Sequence, residues 1–336
     1  MDLTTNYLGL ELAHPVVASA GPLSQTVNGV EDLVDGGASA VVLYSLFEEQ
    51  LRAEVARDEQ LMNAQNNSYA EALDYFPTAP ITTKSAAYTY LSLIERSAKA
   101  VDVPIIASLN GADLGGWVEF SRELVDAGAA AIELNIYLVP GDVKTPGSQV
   151  VRKHIEIVQA VTGAVDVPVS VKMSPYFSSV GDVALQLVDA GASGLVLFNR
   201  FLNPDVDIET LQTDSAFELS TPHEGRLPRT WIASLRNHTQ ASLAGSTGVD
   251  SFEDVVRYLL AGADVVMTTA ALIRHGRGYS RELVAGLQSW MVRKGYDSLD
   301  QVRGMLAVPP MWDGEADLRG GYVQAIQKAK ARYGSL

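Results

Sequence analysis

The chain has 336 residues, of which 47% are hydrophobic, and its 40 Asp and Glu outnumber its 25 Lys and Arg to give a net charge of −15. Such a charge repels nucleic acid and anionic membranes, so we expect neither as a partner. The absence of cysteine excludes disulfides, a thiolate nucleophile and a cysteine-ligated iron–sulfur or zinc site.

Membrane, secretion and metal signals are also missing from the sequence. Residues 1–5 lack the basic and apolar regions of a signal peptide, and no apolar run reaches the length of a membrane span. We therefore expect a cytoplasmic protein. The five histidines show neither H-x-x-x-H nor H-E-x-x-H spacing, so we expect no metal site.

One sequence motif recurs four times, and each copy contains a predicted helix end, a glycine and a predicted buried strand. The copies cover residues 35–45, 126–136, 189–199 and 260–270. In each copy a glycine can adopt the left-handed conformation that ends a helix, and the apolar run after it is too short for an amphipathic helix. Continuous apolar strands are typical of parallel sheets. The glycines are Gly37, Gly128, Gly191 and Gly262.

Four further apolar runs bring the predicted strands to eight, with helical stretches between them. No G-x-G-x-x-G occurs, so the alternation predicts a closed (β/α)₈ TIM barrel rather than an open doubly wound sheet. The chain exceeds the roughly 250 residues of a plain barrel, so we expect a single domain over residues 1–336 with loop insertions at 46–101 and 200–239. The four further runs cover residues 14–20, 101–108, 165–172 and 240–245.

Functional groups of a barrel gather at the carboxyl ends of its strands, which directs attention to the residues after each run. Small residues follow strand seven and precede a helix, so backbone N–H groups there can face a phosphate. Two threonines after strand eight can do the same. These candidates are Gly245, Ser246, Thr247, Gly248, Thr268 and Thr269.

Lys172 ends an otherwise apolar strand. It either pairs with a carboxylate such as Glu133 or faces a ligand, because a charge at a strand end seldom serves packing alone. Asn110, Asn135 and Asn199 each end a strand and offer both a donor and an acceptor. Three such side chains together favour a planar heterocyclic ligand.

Several segments of the chain carry a distinctive combination of residues. They are 6–20 (NYLGLELAHPVVASA), 133–135 (ELN), 171–177 (VKMSPYF), 197–199 (LFN) and 294–304 (KGYDSLDQVRG). Together they resemble the dihydroorotate dehydrogenases, nearest the soluble class 1 type. Three more are similar to the bacterial proteins usually labelled dihydroorotate dehydrogenase-like: 46–49 (LFEE), 107–111 (ASLNG) and 134–137 (LNIY).

The resemblance implies a (β/α)₈ barrel that holds FMN over its mouth and oxidises dihydroorotate to orotate in pyrimidine biosynthesis. It implies that Lys172 lies beside the N1/O2 edge of the flavin, where a cation stabilises the anionic reduced ring. The expected cofactor contacts are Ala18, Ser19, Ala20, Gly21, Ser45, Asn110, Asn135, Lys172, Asn199, Gly245, Ser246, Thr247, Gly248, Thr268 and Thr269. The expected substrate contacts are Tyr44, Asn67, Asn135, Asn199 and Arg200.

Three positions depart from the pattern of the family. Leu138 stands where a Cys or Ser base removes a substrate proton, Pro140 replaces a substrate-binding asparagine, and Tyr44 replaces a lysine. Removing a positioned base typically costs about 10²–10⁴-fold in rate, so dihydroorotate turnover requires a substitute for it. Tyr137 or Tyr44 is a candidate acid or base if Lys172 lowers its pKa. Alternatively, Tyr137 stacks on a ligand and moves no proton.

Three functions remain open at this point. The first is an FMN-dependent oxidoreductase that acts on the CH–CH group of dihydroorotate or a related small cyclic substrate, with Lys172 and Tyr137 as catalytic residues. The second is a flavin- or phosphate-binding barrel that has lost redox chemistry. The third is a barrel of the aldolase or phosphate-isomerase kind, in which Lys172 forms a Schiff base or binds substrate. By analogy with the family we expect a small-molecule substrate and a homodimer, with an electron-transfer protein as a further candidate partner.

Overall fold

Eight parallel strands close into a barrel in the computed structural model, which describes residues 1–50, 85–111, 117–138, 143–201, 204–214, 218–310 and 314–334. The strands in chain order are β1 (Thr5–Tyr7), β2 (Leu10–Leu12), β3 (Val16–Ala18), β4 (Val41–Phe47), β5 (Ile105–Gly111), β6 (Ala131–Ile136), β7 (Val169–Lys172), β8 (Gly194–Leu197), β9 (Asp205–Asp207), β10 (Gln212–Asp214), β11 (Ser242–Gly245) and β12 (Val265–Thr268).

The barrel contains β3 to β8 followed by β11 and β12, in the order of the chain. Its last strand pairs with its first, with Val266 opposite Val16 and Thr268 opposite Ala18. The eight strands predicted from the sequence are these eight, so the predicted TIM barrel is confirmed. Two antiparallel hairpins, β1–β2 and β9–β10, lie outside the ring.

Helices follow the strands and cover the outside of the barrel. The four repeated glycines have φ values of 93°, 103°, 108° and 116°, which confirms the predicted left-handed turn after each helix. The helices are α1 (Val27–Asp35), α2 (Ala86–Ala100), α3 (Trp117–Asp126), α4 (Gly147–Thr162), α5 (Val180–Asp189), α6 (Arg226–Leu235), α7 (Phe252–Ala261), α8 (Ala270–His275), α9 (Tyr279–Lys294) and α10 (Gly314–Tyr333).

The interior of the barrel changes from apolar at one end to polar at the other. The β1–β2 hairpin closes the amino-terminal end, where Tyr7 and Leu12 pack with an inner cluster that includes Val17 and Ile106. Side chains on a strand alternate between its two faces, so every second residue continues inward toward the carboxyl end. On β6 this alternation leads from Ala131 through the buried Glu133 to Asn135.

Both predicted loop insertions contain regular structure. The range 46–101 includes the end of β4 and all of α2, and its residues 51–84 lie outside the described part of the chain. The range 200–239 contains the β9–β10 hairpin, a 3₁₀ turn at Pro222–Gly225 and α6. The insertion after β8 therefore ends before α6, because the buried Ile232 and Leu235 make α6 a helix of the barrel itself. Among the described helices, none is long and apolar enough to cross a membrane.

Candidate active site

An open cavity of about 270 Å³ lies at the carboxyl ends of β3, β7, β8, β11 and β12. It brings together residues that are far apart in the sequence, as expected for the mouth of a barrel. No Asp or Glu lines its described wall. The predicted site residues that line it are Ser19, Ala20, Gly21, Lys172, Asn199, Arg200, Ser246, Thr247, Gly248, Thr268 and Thr269.

The threonine hydroxyls on the β11–β12 side are engaged within the protein. Thr247 Oγ1 donates to Phe198 O at 3.0 Å, and Thr268 Oγ1 donates to Val249 O at 3.1 Å. Thr269 Oγ1 donates to Ser19 O at 2.6 Å. These bonds tie neighbouring strand ends together, so the hydroxyl protons are used in structure. The N–H groups of Ser246 and Gly248 are also engaged, with Leu197 O and Ser220 Oγ, so an anion at this wall would need other backbone N–H groups, such as that of Thr247.

Tyr258, which the sequence analysis missed, supports the turn after β11 from behind. Its hydroxyl donates to Ser246 O at 2.9 Å and to Thr247 O at 2.7 Å. Burial raises the pKa of Tyr258, so the phenol keeps its proton and remains a donor. The ring fills the space beside Gly245, where an added Cβ would lie 2.3 Å from Cδ1 of Tyr258. Gly245 therefore packs against this ring behind the cavity and does not line it.

The backbone conformation and the close packing at position 248 require a glycine. Its φ is 68°, and an added Cβ would lie 2.5 Å from the backbone nitrogen of Gly225. Its N–H donates to Ser220 Oγ at 3.2 Å. A side chain at this position would both strain the backbone and push the 3₁₀ turn away from the cavity.

Lys172 reaches across the mouth of the barrel. It extends from β7, and its Nζ lies 3.4 Å from Ser19 Oγ beyond β3, the strand on the opposite side of the ring. The same Nζ lies 3.5 Å from Oε1 of Glu133, which is fully buried. The two interpretations of Lys172 thus describe one arrangement, because the ammonium pairs with Glu133 and also lines the cavity.

Amide and hydroxyl groups cluster around the neighbouring strand ends. Asn199 Nδ2 donates to Asn135 Oδ1 at 2.6 Å, and Asn110 is buried on β5 next to them. The hydroxyl oxygens of Ser45 and Ser108 lie 2.8 Å apart. Asn110, Asn135 and Ser45 lie outside the wall of the cavity, as does Ala18, whose side chain joins the core. Asn67 lies outside the described residues.

Tyr44 and Tyr137, the two candidates for a substitute base, both contact other aromatic rings. Tyr44 meets Tyr90 edge-on at 5.1 Å between ring centroids, and burial raises the pKa of Tyr44. This direction opposes the lowered pKa that a basic role for Tyr44 would need. Tyr137 meets Phe201 at 4.3 Å between ring centroids, so it takes part in an aromatic contact within the protein. Leu138 lines a separate cavity of about 780 Å³ between α4 and α5.

Arg200 forms an internal ion pair at the rim of the cavity. Its Nε donates to Glu224 Oε2 at 2.8 Å, and its Nη1 donates to the backbone carbonyl of Glu218. The other oxygen of Glu224 accepts from Thr221 N at 2.7 Å, which closes a capping box at the 3₁₀ turn. The spacing Thr221-x-x-Glu224 is the sequence signal that could have revealed this arrangement. In the described part of the chain, no group of three or more His, Cys, Asp or Glu side chains is arranged so that it could bind a metal ion.

Comparison with known proteins adds relatives that match along most of the chain. A family model described as dihydroorotate dehydrogenase matches residues 78–291. The chain is 26% identical over 314 residues to the dihydroorotate dehydrogenase B (NAD(+)) catalytic subunit of Thermoplasma acidophilum, covering 90% of this chain and 98% of that protein. It is 22% identical over 323 residues to the NAD-dependent dihydropyrimidine dehydrogenase subunit PreA of Escherichia coli K12, covering 90% of this chain and 76% of that protein.

Proposed function

Because the chain belongs to the dihydroorotate dehydrogenase family, we propose that it is an FMN-dependent oxidoreductase acting on the CH–CH group of a small cyclic substrate. The observation that carries the proposal is that Lys172, the turn at 246–248 and the strand end at 268–270 line one cavity. The dihydroorotate dehydrogenases and the dihydropyrimidine dehydrogenase subunit among its relatives are named for reactions on dihydropyrimidine rings, which agrees with this class.

The residues of the cavity fit FMN at both of its ends. The wall at 246–248 and 268–270 has small side chains and no carboxylate, so a phosphate would enter there without repulsion. The N–H groups of Ser246 and Gly248 donate to Leu197 O and Ser220 Oγ, which leaves the N–H of Thr247 as the candidate donor in this turn. Ser19, Ala20 and Gly21 leave the adjoining wall free of large side chains. Lys172 lines the same cavity and would supply the cation that stabilises the negative charge of a reduced flavin.

The residues of the proposed active site have separate roles. FMN, when bound, would supply the acceptor for a hydride from one carbon of the substrate. Lys172 would place a cation beside the charge that develops there, and Asn199 and Asn135 would orient the ring of the substrate through amide hydrogen bonds. The second hydrogen leaves the neighbouring carbon as a proton. Leu138 cannot accept it, so Tyr137 is the proposed relay, whose hydroxyl takes up this proton and releases its own to water.

A flavin-binding barrel without redox activity is the second candidate, and Leu138 is the observation that favours it. The Schiff-base alternative has less support. A Schiff base requires a neutral amine, whereas the ammonium of Lys172 balances the buried carboxylate of Glu133. By analogy with the family we further propose a cytoplasmic homodimer. Both relatives carry the word subunit in their names, which supports a partner protein that receives the electrons.

The proposal is tested with the visible absorption spectrum of the purified protein. Acid release should yield stoichiometric FMN, and anaerobic addition of either L-dihydroorotate or 5,6-dihydrouracil should bleach the bound flavin. FMN that stays oxidised with both compounds would favour the second candidate. Failure to bind FMN after reconstitution would overturn the cofactor assignment.

A further inference from the structure

Two exposed segments of the chain lie outside the barrel and outside the proposed active site. Among the described residues, sixteen large hydrophobic side chains are exposed, and six of them fall within the short ranges 205–214 and 320–332. The first range is the β9–β10 hairpin, and the second is the carboxyl-terminal part of α10. Apolar surface that is concentrated in this way indicates an interaction with another molecule.

The β9–β10 hairpin combines apolar and acidic side chains. Val206, Ile208 and Leu211 are 67%, 76% and 84% exposed. The range 205–214 also contains four acidic side chains and no Lys or Arg, so its net charge is −4. A two-stranded hairpin by itself is at best marginally stable in water. This hairpin therefore gains stability if its apolar side chains pack against a partner.

The carboxyl-terminal part of α10 has the opposite charge. Residues 320–332 contain Lys328, Lys330 and Arg332 and no Asp or Glu. The segment thus carries a charge of +3 in a chain whose net charge is −15. Because like charges repel, two copies of the chain repel each other over most of their surfaces, and this segment is an exception.

An apolar stripe runs along the same part of α10. Tyr322, Ala325, Ile326 and Ala329 follow the i, i+3, i+4, i+7 spacing of one helix face. Tyr322 is 68% exposed and Ile326 is 38% exposed, and in the range 320–332 only Ala329 is partly buried. A helix of this length is marginal in water unless one face packs against something, and its two glycines weaken it further.

The two segments complement each other in charge and in apolar surface. The charge of −4 on the hairpin attracts the charge of +3 on the helix, and a contact removes apolar side chains of both segments from water. Within one molecule nearly all residues of both segments are exposed, so the segments do not cover each other. A second copy of the chain offers each segment a matching partner.

We propose that residues 320–332 of α10 in one copy of the chain dock on the β9–β10 hairpin of a second copy. The contact is reciprocal, so a two-fold axis repeats it and closes the assembly as a dimer. The hairpin begins only five residues after Arg200, which lines the cavity, so the docked helix lies near the mouth of the barrel. The inference gives an interface to the homodimer proposed above and does not depend on the redox function.

Paired charge reversals test this interface by sedimentation velocity. Lys328→Glu/Lys330→Glu makes both contacting segments negative, and Asp205→Lys/Glu209→Lys removes the negative charge of the hairpin that faces the basic helix. Each variant alone should have a dimer dissociation constant at least about 10-fold higher than that of the wild-type chain. An equimolar mixture of the two variants should form a heterodimer with a dissociation constant closer to the wild-type value than that of either variant alone. The reason is that the reversed helix of one variant then meets the reversed hairpin of the other, while the unchanged helix meets the unchanged hairpin.

Arg293→Glu/Lys294→Glu is the matched control, because it makes the same change in net charge as the helix variant at two exposed residues of α9. It should change the dissociation constant by less than about twofold. A wild-type chain that stays monomeric, a charge-reversed variant that dimerises as tightly as wild type, an equal loss in the control, or a mixture without recovery would each overturn the inference. A monomeric chain that binds phosphatidylserine vesicles through Lys328 and Lys330 would also overturn it, in favour of a membrane surface. Bound FMN and its bleaching are measured on the same samples, so failure of the proposed function is read separately from failure of the interface.

Discussion

The two sides of the barrel mouth are built in different ways. On one side, residues 246–248 and 268–270, the proposed cofactor wall, face the cavity with threonine hydroxyls and backbone carbonyls that are bonded within the protein. On the other, the proposed substrate wall of Tyr137, Asn199 and Phe201 presents side chains, and Leu138, one of the departures from the family pattern, directly follows Tyr137. Backbone can bind a phosphate whatever the side chains are, whereas substrate recognition depends on side chains. The cofactor wall can therefore stay the same while the substrate wall changes.

Lys172 lies between the two walls, and its removal should have the largest effect. Lys172→Met leaves Glu133 buried without its cation, so the free energy of unfolding should fall by about 3–5 kcal/mol. Flavin reduction by the substrate should slow by about 10²–10³-fold, because the charge on the reduced ring loses its stabilising cation. Urea denaturation and anaerobic stopped-flow spectroscopy measure the two effects.

The double variant Lys172→Met/Glu133→Gln separates stability from catalysis. It removes both charges, so most of the lost stability should return while flavin reduction stays slow. Recovery of the reduction rate in the double variant would contradict the proposed role of Lys172.

Gly248→Ala tests whether the cofactor wall depends on its backbone. The left-handed φ and the contact with Gly225 should lower the free energy of unfolding by about 1–3 kcal/mol and weaken FMN binding. Gly147→Ala is the matched control, because an added Cβ meets nothing within 4 Å and its φ is not left-handed. Urea midpoints and fluorescence titration with FMN measure both variants. Equal effects at the two glycines would argue against a backbone constraint at 248.

Removal of one buried tyrosine hydroxyl on each side of the barrel tests whether the two sides act separately in FMN binding. Tyr258→Phe removes the donor to Ser246 O and Thr247 O, and Tyr90→Phe removes a group bonded to both N and O of Ser108. Each should lower the free energy of unfolding by about 1–2 kcal/mol. Only Tyr258→Phe should weaken FMN binding, by about 10-fold, because only that hydroxyl supports the cofactor wall. Loss of FMN affinity in Tyr90→Phe would show that the two sides are not separate.

The smallest expected effect is a pH dependence of stability from two buried histidines. Burial lowers the pKa of His154, which packs against Phe177 on the side of the substrate wall, and burial also lowers the pKa of His14. The unfolded chain then binds more protons than the folded chain below the ordinary histidine pKa of about 6.5. Stability should be complete above that pH and fall as the pH drops from about 7 to 5, by at most about 1.4 kcal/mol per pH unit for each histidine.

Urea denaturation across this pH range measures the slope, which reports on His154 and His14 together. His154→Gln and His14→Gln should each reduce the slope, and the double variant should reduce it most. A slope that neither variant changes would assign the acid sensitivity to carboxylates.

The barrel, its eight strands and the glycines that end four helices could all be predicted from the sequence. These follow from local patterns, because an apolar run, a glycine stop and a proline-led strand are each read within about ten residues. It also indicated which strand ends meet at the mouth, since the carboxyl ends of parallel barrel strands share one face. The family pattern and its departures at Leu138 and Tyr44 were likewise visible before the fold.

The contacts of these side chains could not be predicted in the same way, because they depend on the folded arrangement of the strands. The pairing of Lys172 with Glu133, the bond between Asn199 and Asn135 and the engagement of Thr269 with Ser19 join residues 39, 64 and 250 positions apart. No local pattern encodes such partners, because hydrogen bonds and ion pairs depend on distances of a few ångströms that the closed ring sets. Arg200 shows the consequence: the sequence placed it at the mouth, but only the fold shows that it pairs with Glu224.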